Sequence, residues 1–288
     1  MIAVAGGTGR LGTLVVKRLA ARGLEVRVLT RDPHRACHLS DCVAEVVSCD
    51  VRDRASVESA LPGATIVVSA VHGFAGPGRV SPESVDRDGN ANLVEAAGAV
   101  GADMVLLSVV GAAERSPMEL FRAKYAAEQN LRLSGVGWTI VRATAFVELW
   151  AEIMKKPIVF GHGENPINFV SVDDVAAVVE RAVTDTGLRG QVIEVGGPQN
   201  LTFNELAALL QRVRGRPAKV RHVPPRLLRA MAPFARQARA AIAMDTVDMT
   251  FEAPARQAFA DLPMTEIHAA LARAEAQSAA THVPAATA

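Results

Sequence analysis

The sequence contains few aromatic residues, carries little net charge and has no long apolar run. Aromatic side chains make up 4% of the 288 residues, and the formal net charge is only +1. A near-neutral chain gives no reason to expect nucleic acid as the main partner. No apolar run approaches the roughly 20 residues that span a bilayer, which predicts no membrane partner either.

Cysteine is also scarce. Cys37, Cys42 and Cys49 are the three cysteines, and they lie near His34 and His38. Their spacing matches no zinc-binding pattern, so we expect reduced thiols and no metal site. The chain starts inside its first predicted strand, which leaves no room for a signal peptide and indicates a cytoplasmic protein.

What the sequence does contain is a glycine-rich segment between a predicted strand and a predicted helix. The apolar run Ile2–Ala5 leads into Gly6-Gly7-Thr8-Gly9-Arg10-Leu11-Gly12, and an amphipathic pattern follows over Leu11–Ala21. Glycines at this spacing allow a tight turn, let the backbone approach a diphosphate and let the helix pack on the strand. The helix N-terminus adds unpaired N–H groups and a partial positive charge. The pattern therefore predicts a dinucleotide-binding site.

Strand and helix patterns alternate along the first half of the chain. Predicted strands occupy Ile2–Ala5, Val26–Thr30, Ala44–Ser48, Thr65–Ala70, Met104–Ser108 and Thr139–Val141. Predicted helices between them occupy Leu11–Ala21, Arg54–Ala60, Ser84–Val100 and Met118–Ser134. Apolar strands separated by helices predict a parallel sheet that is buried on both faces. The predicted fold class is therefore α/β, a doubly wound parallel Rossmann sheet.

The alternation changes after residue 150, which predicts a smaller C-terminal substrate lobe. We expect a dinucleotide-binding Rossmann domain over residues 1–150, the lobe over 151–275 and a flexible tail over 276–288. A strand pattern over Gln191–Val195 indicates that residues 170–197 return to the main sheet.

Two local patterns mark helices within the second half. Thr202 and Glu205 form a capping-box pattern at the start of a helix that runs through Val213. The stretch Pro225–Met244 is basic and amphipathic, because arginines alternate there with leucine and alanine. Such a stretch can bind anionic membranes, but here we favour a solvated helix face over a core.

Taken together, these motifs resemble the atypical short-chain dehydrogenase/reductase superfamily, and most closely its NmrA-like branch. The resemblance covers roughly residues 1–225 and is specific for fold and cofactor rather than for reaction. The residues that carry it are the glycine segment Gly6–Gly12, Thr30-Arg31-Asp32, Cys49-Asp50-Val51, Leu107-Ser108, Lys124 with Glu128, Phe169–Val175, Gly197-Pro198 and Leu201-Thr202.

The resemblance implies where a dinucleotide would lie. It implies that Asp50 and Val51 lie beside the adenine, and that Ser69, Ala70 and Val71 border the cofactor. It also implies that the segment following the sixth strand, with Ala143, Thr144 and Phe146, lies near the nicotinamide. These segments follow predicted strands, where parallel sheets bind their ligands.

The choice of cofactor depends on the residues that end the second strand. Asp32 lies near the position of the acid that binds the ribose 2′-hydroxyl in NAD-dependent folds. Arg31 and Arg35 flank it, and an arginine can grip a 2′-phosphate in a forked contact. The resemblance implies that Arg31 plays this part, so we expect NADP(H) to be preferred over NAD(H).

The catalytic residues are harder to assign. The resemblance places Ser108 and Lys124 at the serine and lysine of the superfamily, but the position of its tyrosine is occupied by Leu120. A missing general acid typically costs about 10²–10⁴ in rate. Lys124 and Glu128 share a helix face, so Lys124 either forms a surface ion pair or acts by bonding the nicotinamide ribose or donating a proton.

Other residues are candidates for the missing acid. Tyr125, the only tyrosine, adjoins Lys124, but neighbouring helix residues point about 100° apart, so it does not simply replace the absent one. His72 opens the glycine-rich loop Gly73–Gly78, and His162 lies between two glycines. Either imidazole is a candidate for the acid that replaces the tyrosine.

The motifs therefore predict an NADP(H)-dependent oxidoreductase that acts on a small, apolar carbonyl, enone or quinone, as a monomer or homodimer. The absent tyrosine keeps a second possibility open, a non-catalytic NADP(H) sensor or regulatory protein. Sugar-nucleotide epimerisation on the same fold is disfavoured by the missing tyrosine and the short second lobe.

One substitution tests the cofactor preference. We expect Arg31→Ala to weaken NADP binding about ten- to hundredfold, since a charge-assisted hydrogen bond contributes about 1.5–3 kcal/mol. NAD binding should change little because NAD carries no 2′-phosphate. Calorimetric titration of both cofactors measures the difference, and an equal loss for both would contradict the assignment.

Overall fold

The structure of the protein is a computed structural model that describes residues 1–74, 80–217, 219–252 and 262–280. The chain divides into two compact units. The first contains Met1–Ala143 and Val175–Val195, and the second contains Thr144–Asp174 and the segment from Gly196 onward. Among the described helices, none is both long enough and apolar enough to cross a membrane.

Strands and helices alternate along the first unit. Its strands are β1 (Ile2–Ala5), β2 (Val26–Thr30), β3 (Glu45–Ser48), β4 (Ile66–Ser69), β5 (Asp103–Val109), β6 (Trp138–Ala143) and β10 (Gln191–Val195). Its helices are α1 (Arg10–Ala21), α2 (Arg54–Ala60), α3 (Asp88–Val100), α4 (Glu119–Leu133) and most of α6 (Val172–Thr184). Short helical turns occupy Pro33–Leu39, Pro82–Arg87 and Thr186–Leu188.

All seven strands of the first unit form one parallel sheet in the order β10-β6-β5-β4-β1-β2-β3. The chain leaves β1 toward β2 and later returns on its other side as β4, so the strand order reverses between β1 and β4. Ligands of open parallel sheets bind at this switch point, beyond the carboxyl ends of the strands. The glycine segment follows β1 directly and therefore lies there.

The predicted fold class is confirmed, and the differences are local. β10 pairs with β6, so the predicted strand Gln191–Val195 does join the main sheet. The predicted helix Ser84–Val100 instead opens with the wider π-helical turn Pro82–Arg87, capped by Ser81, before α3 begins. The buried positions of the strands are mostly Val, Ile, Leu and Ala, as expected for a sheet that is covered on both sides.

The second unit is built from short strands and six helices or helix segments within its described residues. Its strands are β7 (Ala145–Phe146), β8 (Ile158–Phe160), β9 (Ile167–Val170), β11 (Gln199–Leu201) and β12 (Arg221–Val223). Its helices are α5 (Val147–Ile153), the start of α6, α7 (Phe203–Val213), α8 (Pro225–Met231), α9 (Arg236–Met244) and α10 (Ile267–Ala280). Residues 276–280 of the expected tail continue α10, and 281–288 lie outside the described residues.

The core of the second unit is aromatic. Phe169 on β9 is fully buried. Its ring and that of Phe203 on α7 pack edge to face, with their centroids 6.0 Å apart. Trp150 packs on the same Phe203 ring, and the centroids of the two rings are 4.6 Å apart. The capping box of Thr202 and Glu205 is confirmed and fixes where α7 begins. The five short strands were not predicted, because two to four residues carry too little periodicity to identify a strand.

Candidate active site

The glycine segment forms a tight turn at the carboxyl end of β1. Gly6 has φ +79°, a left-handed conformation that favours glycine, and the N–H of Gly9 donates to the carbonyl of Gly6 at 2.9 Å. The Thr8 hydroxyl lies 3.2 Å from that of Thr30 at the end of β2. The turn is therefore held to two neighbouring strands at the switch point.

Within the glycine segment, Gly12 is the residue that least tolerates a side chain. A Cβ atom there would overlap the carbonyl group of Gly6, and the nearest atoms are rigid backbone. Residue 12 must therefore be glycine for the first turn of α1 to pack against the turn before it. Gly6 is similarly restricted, because its Cβ would lie 2.7 Å from the carbonyl oxygen of Ala70.

The N-terminus of α1 is open to a negatively charged group. Gly9 is its N-cap and supplies no side-chain hydrogen bond, and the first turn contains no acidic residue. The first N–H groups of a helix have no partner within the helix, and the helix dipole places partial positive charge beside them. This geometry suits a diphosphate, so the residues present fit a dinucleotide.

The segment after β4 lies beside this turn. Ser69 is buried, and its hydroxyl donates to Asn90 on α3 at 2.6 Å. Ala70 and Val71 follow, with the Ala70 carbonyl adjoining Gly6. The structure thus brings together two of the segments that the sequence assigned to the cofactor. Residues 75–79 of the glycine-rich loop after His72 lie outside the described residues.

Lys124 is buried in an ion pair rather than exposed. Its side chain is 3% exposed and its Nζ lies 2.9 Å from Oδ1 of Asp86, which is fully buried. The same ammonium donates to the carbonyl of Val71 at 3.1 Å, and the other oxygen of Asp86 accepts the N–H of Gly73 at 2.7 Å. Together, Lys124 and Asp86 therefore fix the backbone that follows β4.

Ser108 belongs to a separate buried network. Its hydroxyl donates to Glu128, which also receives two hydrogen bonds from the guanidinium of Arg142 at 2.9 and 2.7 Å. Arg142 reaches Glu194 on the neighbouring strand at 3.2 Å. The surface ion pair considered between Lys124 and Glu128 is wrong, because each is buried with a different partner.

The remaining acid candidates differ in their surroundings. Tyr125 is half-buried on α4. His72 is an exposed residue, yet the surrounding protein desolvates its imidazole enough to lower its pKa, with the charge of Lys124 acting in the same direction and Asp86 opposing. A lowered pKa favours the neutral imidazole of His72, which is a weaker proton donor than the charged form. His162 is tied through Nδ1 to Asp245 at 2.9 Å in the second unit.

The expected adenine and ribose residues lie at the ends of β2 and β3. Arg52 donates hydrogen bonds to the Asp50 carboxylate, the main reason that the pKa of Asp50 is lowered, and the charge of Arg31 acts in the same direction. Val51 is buried, and its carbonyl accepts from Asn92 on α3 at 2.8 Å. Arg31 and Arg35 are exposed.

The segment expected near the nicotinamide is divided between the two units. Ala143 is buried at the end of β6 in the first unit. Thr144 and Phe146 belong to the second, where the Thr144 hydroxyl donates to Asn168 at 2.9 Å and Phe146 is half-buried as the N-cap of α5.

Sequence reasoning missed Asp86 and Asn90. They stand four residues apart on the inner face of a helical segment, among buried apolar residues such as Val85 and Leu93. A buried carboxylate is rare unless it is paired, so two polar residues on an apolar helix face were the available signal. Within the described residues, no group of three or more His, Cys, Asp or Glu could hold a metal ion.

Comparison with known proteins agrees with this geometry. The family model described as NAD(P)H-binding matches residues 6–186. The NAD(P)H azoreductase of Xenophilus azovorans is 31% identical over 225 residues, and (4-alkanoyl-5-oxo-2,5-dihydrofuran-3-yl)methyl phosphate reductase of Streptomyces griseus is 35% identical over 225 residues. Each alignment covers 76% of both chains.

A solved structure has the same fold. The NADPH complex of an NADPH-dependent quinone oxidoreductase from Escherichia coli superposes with a TM-score of 0.77 over 95% of this chain and 99% of that chain, at 22% identity. The open glycine turn and these matches define an NAD(P)H-dependent oxidoreductase. The chain belongs to the NAD(P)H-binding family, in the NmrA-like branch of the atypical short-chain dehydrogenases/reductases.

Substitution of Gly12 tests the geometry of the turn. We expect Gly12→Ala to abolish NADPH binding, because the added methyl group forces α1 away from the glycine turn. Gly98→Ala is a matched control, since its Cβ would make only an ordinary contact with Val136 at 3.4 Å. Calorimetric titration gives the affinity of both variants, and unimpaired binding by Gly12→Ala would refute the expectation.

Paired substitutions test whether Lys124 holds the backbone or donates a proton. Lys124→Met leaves Asp86 buried without its partner, which typically costs about 3–5 kcal/mol of folding free energy. We expect the double variant Asp86→Asn/Lys124→Met to regain most of that stability, since the introduced amide oxygen still accepts the Gly73 N–H. Chemical denaturation measures the stabilities. If the stable double variant binds NADPH normally but has lost all turnover, Lys124 is the proton donor instead.

Proposed function

We propose that the protein is an NADP(H)-dependent reductase whose substrates are small, apolar quinones or enones. The observation that carries the choice of substrate is the commitment of Lys124 and Ser108 to buried partners. With Leu120 in place of a tyrosine, none of these three positions offers a free general acid. Substrates that accept a hydride without an enzymatic acid therefore suit this site better than simple ketones.

The cofactor would be held mainly by backbone. The N–H groups at the start of α1 would bind the diphosphate, and the segment Ser69–Val71 would border the dinucleotide. Asp50 and Val51 would adjoin the adenine. When bound, a reduced nicotinamide supplies the hydride.

The preference for NADP(H) rests on the charges at the end of β2. Arg31 and Arg35 are exposed there and available to a 2′-phosphate. The Asp32 carboxylate instead accepts the N–H of His34 at 3.1 Å and caps the turn that follows. This contact uses one oxygen of the carboxylate that would otherwise bind a ribose 2′-hydroxyl. The charges at the end of β2 therefore favour the phosphorylated cofactor.

The relatives support a reductase of conjugated acceptors. Their names specify an azoreductase and a reductase of an alkanoyl-oxo-dihydrofuran phosphate, and the structural neighbour is a quinone oxidoreductase. In a quinone or an enone, electron-withdrawing carbonyls stabilise the charge that a hydride brings. The proton that completes the reduction can then come from water, and no side chain has to donate it.

The same absence of a free acid favours one alternative, a non-catalytic NADP(H) sensor. A sensor needs the glycine turn and the arginines but no proton donor. In that case Lys124 and Asp86 would serve only to hold the backbone beside the cofactor. The two functions differ in turnover and not in binding.

A substrate panel separates these possibilities. Purified protein is mixed with NADPH and a series of quinones, enones and simple ketones, and absorbance of the reduced nicotinamide is followed. We expect steady oxidation with quinones or enones and at least about 10²-fold slower oxidation with ketones, the low end of what a missing general acid costs. Arg31→Ala should raise the KM for NADPH far more than it lowers kcat.

Other outcomes would point elsewhere. Tight NADPH binding with no turnover across the panel would contradict the reductase and support the sensor. Rapid reduction of ketones would show that a general acid is present after all, and would contradict the choice of quinones and enones.

A further inference from the structure

One segment of the second unit carries a concentrated positive charge. Residues 206–244 contain nine Lys and Arg and no Asp or Glu, which leaves 22 basic against 30 acidic residues in the rest of the chain. The near-neutral total therefore conceals a strongly basic segment on an otherwise acidic protein. Such a segment attracts anionic partners over a distance of about one Debye length.

Helix α8 exposes an apolar stripe within this segment. Leu227 and Met231, four residues apart on α8, are 50% and 46% exposed, and Phe234 in the turn that follows the helix is 92% exposed. Leu228 alone on α8 is buried and faces the core. The expectation that the apolar residues of this stretch cover a core therefore holds for Leu228 but is wrong for the other three.

Two arginines flank the stripe. Arg226 is exposed on α8, one residue before Leu227, whereas Arg229, two residues after Leu227, points to the opposite side of the helix. The guanidinium of Arg239 on α9 donates to the carbonyl of Ala232 at 2.8 Å, which holds its charge at the end of α8 beside Phe234. We define the basic apolar surface as Leu227, Met231 and Phe234 together with Arg226 and Arg239.

We propose that the basic apolar surface binds the anionic headgroup region of a lipid bilayer, with Phe234 inserted among the acyl chains. Large apolar side chains beside arginines are the pattern of helices that lie in a membrane interface. A nucleic acid would complement the arginines but would leave the stripe in water. The protein would thus be peripheral to a membrane, and this property is independent of its reductase activity.

Lipid chemistry accounts for each part of the surface. An anionic leaflet attracts each nearby arginine, and removal of one should lower the partition coefficient about fivefold. Burial of the Phe234 ring in the interface should raise the partition coefficient at least a further tenfold, because a buried aromatic side chain usually contributes about 1.5–3 kcal/mol.

Sedimentation with vesicles tests the proposal on the full chain. Vesicles contain either phosphatidylcholine alone or equal parts of phosphatidylcholine and phosphatidylglycerol. We expect binding to the anionic vesicles only, weakened by salt. Phe234→Ser and the double variant Arg226→Gln/Arg239→Gln should each lower the binding at least tenfold.

Matched controls exclude general effects of the substitutions. Leu133 is 86% exposed in the first unit, and Arg115 is exposed there as well. Leu133→Ser and Arg115→Gln should bind vesicles like the unmodified protein, while circular dichroism and NADPH affinity verify that every variant is folded.

Three results would overturn the proposal. The first is failure to bind anionic vesicles at low salt, and the second is full binding by Phe234→Ser. The third is binding to soluble polyglutamate with none to vesicles, which would identify an acidic protein as the partner of this surface.

Discussion

The nucleotide-binding unit depends on one close approach, that of Gly12 to the carbonyl of Gly6. Only a residue without Cβ allows the first turn of α1 to pack against the glycine turn. That contact sets the direction of the helix and places its first N–H groups beyond the carboxyl end of β1. The segment after β4 then adjoins Gly6 from the other side of the switch point, so the whole candidate cofactor site is organised around this contact.

Two buried ion networks contain the residues that the resemblance suggested for catalysis. Lys124 pairs with Asp86, and Ser108 bonds to Glu128, which Arg142 neutralises. Burial of a charge is costly in free energy unless a partner compensates it, so each of these side chains is held in position by its partner. Groups held in this way position backbone well but have little freedom to exchange protons, and this is the physical basis of the proposed preference for quinones and enones.

The second unit is built differently from the first. Its strands are short, its core depends on the contacts of Phe169, Phe203 and Trp150, and its basic helices leave Phe234 in water. A chain of small net charge can still carry a strongly charged surface, because the total averages over residues that are far apart in the fold.

The sequence by itself determined the Rossmann sheet, the glycine turn and most helix boundaries. These features depend on local signals: apolar runs, glycine spacing, and caps such as Thr202. It could not determine that Lys124 would meet Asp86, that Ser108 would bond to Glu128, or that Phe234 would be exposed while Leu228 was buried. Such partnerships join residues that are distant along the chain, and only the packing of the helices on the sheet brings them together or leaves them apart.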